Sequence, residues 1–305
     1  MRCGRHNIGR IEMIGFENLS VSCLIGAMLV TSSVWGGDGK IRAIYTVPHE
    51  LDILVRRQAG HIQGMTCSER AIYLSHKLGI EKIGWDGKWI KHVDAPPHLG
   101  DIFYDRGKIY GAFFLSGLKD GADKGMVRVW DEELNAIGEK RLKTGIDGIA
   151  VLNETIYFSP DPDGVKPHDG CYIGRLDMHL NELAPVKLDL GYRIQYGVQT
   201  MVTDGKDVFL VCYGAPRNEG NPNGYNTTRM SVDLKPLENY RFGGSEGLAL
   251  VPKSISKRNN PVFMMVCALG GNMQGWYRDP VNNPPRIRLD FYEFAEGCFK
   301  DITIR

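Results

Sequence analysis

Five times along its length the chain repeats the same pair of short apolar runs. The first run is anchored at Gly64-Met65, Asp101-Ile102, Gly148-Ile149, Thr200-Met201 and Gly247-Leu248. The apolar members of these anchors lie 37, 47, 52 and 47 residues apart. The second run carries an apolar-aromatic pair, at Ile72-Tyr73, Ile109-Tyr110, Ile156-Tyr157, Val208-Phe209 and Val262-Phe263. Anchor and aromatic are eight residues apart in four copies and fifteen in the last, where PKSISKRNN intervenes. Asp105-Arg106-Gly107-Lys108 and Thr203-Asp204-Gly205-Lys206 supply hairpin chemistry between the two runs. A third run ends near Asp86, Asp131, Asp177 and Asp233, where the acid reads as a turn former, and a fourth run completes each unit. Alternating apolar residues rich in β-branched and aromatic types predict strands throughout. Four strands per unit, recurring every 40–50 residues or so, predict an all-β chain folded as a β-propeller. Five units predict five blades, with six as the alternative. A lone blade leaves two apolar faces bare, so the blades must stack in a ring.

The repeat occupies residues 61–305 and the start of the chain stands apart from it. Arg2, Arg5 and Arg10 precede an uncharged stretch from Asn18 to Gly37, centred on CLIGAMLV at 23–30. Thr31, Ser32, Ser33 and Gly36 follow. Basic region, apolar run and small residues are the order of a cleaved secretory signal. We therefore expect residues 1–36 to be a signal peptide and the protein to be secreted or periplasmic, with no stable membrane span after cleavage. Residues 37–60 then form an N-terminal segment. Its stretch Ile41–Val47 is strand-like and suited to closing the ring against the last blade.

Charge and cysteine content narrow the function classes. Lys plus Arg number 37 against 36 Asp plus Glu. Removing 1–36 leaves 34 of each, so a nucleic-acid partner is not expected. Cys67, Cys171, Cys212, Cys267 and Cys298 remain, an odd number with no disulfide or zinc-ribbon spacing. Buried free thiols are expected of them. A domain of this size needs no covalent staples, and a monomer is expected.

The residues leading into each inner strand are polar, and the repeat places them around one axis. Gln63, Asp101, Asp147, Gln199 and Glu246 stand at nearly the same place in the five units, and His61 and His98 in two successive ones. Asp101, Asp147 and Glu246 are the candidate catalytic carboxylates. Clustered acids repel, so one keeps its proton and can donate it. His61 and His98, with Asp147 and Glu246, are candidate ligands for a divalent cation, calcium or another, that would activate water or polarise a carbonyl. Four of the loops between second and third strands are long, and they carry His168, Arg217, Tyr225 and Trp276. With Gln63, Tyr196 and Gln199 these are the candidate ligand-binding residues for a saccharide or other small polar molecule. Each residue has a structural alternative, because polar groups at strand starts also bond neighbouring backbone. His92 and His179 read as surface residues.

As a whole, the Gly-anchored inner strand and the Ile-Tyr second strand resemble secreted propellers of the NHL or SMP-30 (gluconolactonase-like) type, at the level of architecture. That resemblance implies a divalent cation held in the channel and action on lactones or esters. Asn, which those propellers use as a ligand, is absent from the ring positions here. The trio of two Asp and one Glu resembles the inventory of five-bladed arabinanase-type glycosidases, without their residue order. Three functions follow as expectations: a carbohydrate-active hydrolase using channel carboxylates, a non-catalytic ligand- or partner-binding propeller, and a metal-dependent lactonase- or esterase-like hydrolase.

Overall fold

The computed structural model describes residues 43–46, 62–76, 79–115, 122–160, 171–192, 197–212, 223–243, 247–268 and 286–302. The leader expected over 1–36 lies outside them. So does the 37–60 segment apart from one strand, β1 (Ala43–Thr46). Blade 1 consists of β2 (Ile62–Cys67), β3 (Ala71–His76), β4 (Gly79–Gly84) and β5 (Trp89–Asp94). Blade 2 follows with β6 (Leu99–Asp105), β7 (Lys108–Phe114), β8 (Gly125–Asp131) and β9 (Ala136–Leu142). Blade 3 is β10 (Ile146–Leu152), β11 (Thr155–Pro160), β12 (Cys171–Asp177) and β13 (Glu182–Leu188). Blade 4 is β14 (Val198–Thr203), β15 (Asp207–Cys212), β16 (Thr227–Ser231) and β17 (Pro236–Tyr240). Blade 5 is β18 (Leu248–Val251), β19 (Val262–Ala268) and β20 (Arg286–Ala295), with β21 (Cys298–Asp301) and β1 both paired to β20.

Blades 1 to 4 are antiparallel meanders in which neighbours in sequence are neighbours in the sheet, and blade 5 departs from this only by taking in β1 beside β20. The fold is a five-bladed β-propeller. Ala43–Thr46 pairs with Arg286–Leu289, the first half of β20, while β21 pairs with its second half. The inserted PKSISKRNN segment contains a one-turn helix, α1 (Lys253–Ser256), which ends on Lys257 with φ 54°. Among the described residues no helix is long and apolar enough to cross a membrane.

The second strand of a blade shows how the ring is held. Ile72 and Leu74 on β3 pack toward blade 5, against Val251 and Val262. Their neighbours Ala71 and Tyr73 point the other way, toward Ile109 and Trp130 of blade 2. Side chains alternate across a strand, so a run apolar at every position feeds two interfaces at once. The same logic yields clusters between blades 2 and 3, 3 and 4, and 4 and 5. The cluster joining blades 1 and 5 closes the circle, aided by the Cys67 thiol donating to the Leu250 carbonyl at 3.1 Å.

The outer turns follow a rule only partly visible beforehand. Asp131 Oδ1 accepts from the Asn135 amide at 2.8 Å, and Asp177 Oδ1 from those of His179 and Asn181 at 2.8 and 2.9 Å. Leu134 and Leu180 turn the corner with φ 63° and 65°. In blade 4 that place belongs to Ser231, whose hydroxyl accepts from the Lys235 amide at 3.2 Å, with Leu234 at φ 56°. Asp233 is therefore out of register with Asp131 and Asp177, and so is Asp86, because Gly84 holds the equivalent corner in blade 1 and Gly87 turns it with φ 79°. Of the cysteines, Cys67 and Cys212 are buried as expected, but Cys298 is exposed in the terminal hairpin.

Candidate functional site

Four of the five inner strands carry the same irregularity near their start. The register shifts between Ile62 and Gly64, Leu99 and Ile102, Ile146 and Ile149, and Val198 and Thr200. In each case the inner strand holds one residue more than its partner, a β-bulge. The bulged positions are Gln63, Gly100, Asp147 and Gln199. Asp101 falls one place later, in register with Gly64, Gly148 and Thr200. A one-residue offset in a strand changes the direction of the side chain. Asp101 thus departs from the ring that the sequence suggested, and its carboxylate is turned into the protein with no exposure at all.

There Asp101 ties three blades together. Its Oδ2 accepts from the backbone amide of Met201 in blade 4 at 2.9 Å and of Ile149 in blade 3 at 3.3 Å. Both amides lie two residues past the bulge, on strands β10 and β14, which are the inner edges of their sheets and so leave alternate amides free toward the axis. Space for the contact comes from Gly64: a Cβ there would lie 2.6 Å from Asp101 Cα. Burial pushes the Asp101 carboxyl well above its ordinary range, with a smaller push from Asp147, while the amide bonds pull the other way. Oδ1 is buried with no hydrogen-bond partner among the described residues.

The bulged residues sit at the mouth beside it. Gln199 Nε2 donates to Gln63 Oε1 at 3.4 Å, a long bond across the axis from blade 4 to blade 1. Gln63 is buried, whereas Asp147 and Gln199 are half-buried. Gln199 Oε1 is a second buried acceptor without a partner among the described residues. Gly100 makes room for Asp147, since a Cβ there would lie 3.2 Å from its Oδ1. His98 has φ 68° and packs edge-on to Phe114 at 5.3 Å. Tyr225 packs near Tyr192 at 6.1 Å, and the Tyr192 hydroxyl shares a 2.9 Å hydrogen bond with that of Thr228. The remaining candidates, His61, His168, Tyr196, Arg217, Glu246 and Trp276, lie outside the described residues.

At the opposite mouth a cleft of about 520 Å³ opens among the first hairpin turns of blades 2, 3 and 4. Its polar groups are largely engaged. Arg106 bonds Asp105 at 2.9 Å and approaches Glu154 at 3.6 Å. Asp204 accepts from the amides of Lys206 and Asp207 within its own turn.

A second polar cluster lies inside blade 1, and the sequence reading missed it. His76 ends β3, Glu81 is in β4 and His92 is in β5, directly opposite Glu81 in the pairing. His76 Nε2 is 3.3 Å from Glu81 Oε1, and His92 Nδ1 is 2.5 Å from the same oxygen. The two imidazoles stack at 5.5 Å between centroids. Trp89 Nε1 donates to Glu81 Oε2 at 2.8 Å, and His92 Nε2 meets Asp94 Oδ1 at 3.1 Å. His92 is thus half-buried against a carboxylate, contrary to the surface role expected of it. Burial alone would raise the Glu81 carboxyl, but its contacts with His76, His92 and Trp89 outweigh that and hold it below the ordinary range. Burial would lower His92, yet Glu81 and then Asp94 hold it above the usual imidazole range. The available signal was Glu81-Lys82 inside GIEKIG, two charges in a strand otherwise built to be buried.

No protein-family profile matches the chain, and no curated protein does. Among solved structures it is similar to Myxococcus xanthus glutaminyl cyclase, at 8% identity over 85% of this chain and 95% of that one, with a TM-score of 0.51. A Bacteroides caccae protein of unknown function is similar at 11% identity over 79% and 81% of the two chains, with a TM-score of 0.45. The WD40 domain of Neurospora crassa Pan2 aligns at 7% identity over 67% and 58%, with a TM-score of 0.41. At 8% identity the likeness to the glutaminyl cyclase speaks to the fold alone and not to chemistry. The NHL or SMP-30 resemblance stays one of architecture.

Proposed function

We propose that this propeller binds a small polar ligand, with the size and hydroxyl density of a sugar, where Gln63, Asp147 and Gln199 meet at the axis. The observation that carries the reading is the buried Gln199 Oε1, which has no hydrogen-bond partner among the described residues. An acceptor left bare in that way costs about 1–3 kcal/mol, and a ligand hydroxyl would recover it. Glutamine amides both donate and accept, and a carboxylate accepts, which together match the mixed demands of adjacent hydroxyls. Tyr225 adds an aromatic surface near the same end of blade 4.

Asp101 is withdrawn from the three candidate catalytic carboxylates. Glycoside cleavage needs two carboxyl groups flanking the scissile bond. Asp101 is sealed from solvent and engaged by amides of two other blades, so we assign it to holding the ring. The deciding experiment is calorimetric titration of the protein with glucose, arabinose and their di- and trisaccharides, alongside an assay for new reducing ends. At least one sugar should bind saturably, Gln199→Leu should weaken it tenfold or more, and no reducing ends should appear. Reducing ends lost in Asp147→Asn would replace binding with hydrolysis. Absence of heat with every sugar would overturn the ligand class.

A further inference from the structure

We propose that His76, Glu81 and His92 form a site for one divalent cation of the zinc class, held between β3, β4 and β5 of blade 1. One ligand atom from each residue lies within 4.8 Å of the others. Zinc bonds of about 2.0–2.2 Å in a tetrahedral shell set ligand atoms roughly 3.3–3.6 Å apart, so the 3.3 Å pair of His76 and Glu81 already fits, while His92 Nδ1 and Glu81 Oε1 at 2.5 Å must part as the side chains turn. Two imidazoles and one carboxylate suit zinc better than calcium or magnesium, which prefer all-oxygen shells.

The surroundings of the three residues are those of a built site. His92 meets the Asp94 carboxylate through Nε2 and turns Nδ1 toward Glu81. A histidine that ligates through one nitrogen and bonds a carboxylate through the other is the usual outer arrangement of a metal centre. Trp89 fixes the far oxygen of Glu81, leaving Oε1 for the shared centre. Gly79 makes the approach possible, because a Cβ there would lie 2.5 Å from His92 Cε1. The Nδ1 of His92 is buried and 2.5 Å from Oε1, yet it makes no aligned hydrogen bond. A proton on Nδ1 would have to point along that contact to stabilise it. A cation that both atoms ligate once they have moved apart has no such requirement. The His92 side chain is 19% exposed, giving the ion a way in, while Glu81 at 1% keeps it from solvent.

The full chain, stripped with EDTA and dialysed, is titrated with zinc chloride and, separately, with cobalt chloride. Expected are one zinc per chain by elemental analysis, visible cobalt bands of low coordination number, and a melting temperature raised by about 5 °C at saturating zinc. Glu81→Gln should abolish uptake. Because that variant could also unfold, Asp94→Asn is the second test: its side chain is 88% exposed, so folding should survive while zinc affinity falls by about 10–100-fold. No uptake by the wild-type chain, or equal uptake by folded Glu81→Gln, overturns the proposal, as does an unchanged affinity in Asp94→Asn.

Discussion

The axis and blade 1 each bury a carboxylate, and they do so by opposite means. Asp101 is met by backbone amides from other blades, whereas Glu81 is met by side chains of its own blade. Amides cannot be moved or titrated, so they demand an acceptor permanently. Imidazoles can lose a proton, rotate or take a metal. The first arrangement is a structural fixture and the second is adjustable, although burial is nearly complete in both.

Substitution by a residue of similar size separates the two. Asp101→Leu strands the amides of Met201 and Ile149 inside the protein, and should cost about 3–5 kcal/mol in urea denaturation. Glu81→Leu removes a charge whose partners can become neutral, and should cost about 1–3 kcal/mol in metal-free buffer. Equal losses would erase the distinction. A larger loss at Glu81 would reverse it.

The same contrast decides what could be read in advance. The propeller was legible because every blade repeats the apolar runs that feed two interfaces. The polar axis was legible for the same reason, since the bulge recurs and brings Gln63, Asp147 and Gln199 to equivalent places. Asp101 was misplaced by one residue, because spacing in sequence does not reveal which residue is the extra one. The blade 1 cluster was hidden for a different reason. It occurs once, and its members become neighbours only through the pairing of Glu81 with His92 and of His76 with Gly79. A repeat exposes what every unit shares and masks what one unit alone has acquired.

The outer turns test that principle with a smaller effect. Asp131 and Ser231 hold equivalent corners, followed three residues later by Leu134 and Leu234. Asp131→Ala should lower the melting temperature by about 2–3 °C, because the Asn135 amide and side chain lose their acceptor. Asp233→Ala should leave it within about 1 °C, since Ser231 does the work in blade 4. If Asp233 proves the costlier change, the register drawn for these corners is wrong.

The smallest change, Asp101→Asn, asks in what state the axial carboxyl is held. Asparagine keeps one acceptor for the Met201 and Ile149 amides and puts an NH₂ where Oδ1 has no partner, so folding should persist at neutral pH. Burial, assisted by Asp147, raises the Asp101 carboxyl well above its reference value of 3.8 against the pull of its amide bonds. A carboxyl raised on folding binds its proton more tightly in the folded chain. Its contribution is fully present below the unfolded value and is lost as pH rises through the folded one. Stability of the wild type relative to Asp101→Asn should therefore decline as pH is raised from about 4 to 8, measured by urea denaturation of both proteins. A gap that instead widens in favour of the wild type would mean that the amides overcome burial. Asp101 would then be a permanent anion at the axis, and the comparison with Glu81 would become one of two ionised groups distinguished only by what surrounds them.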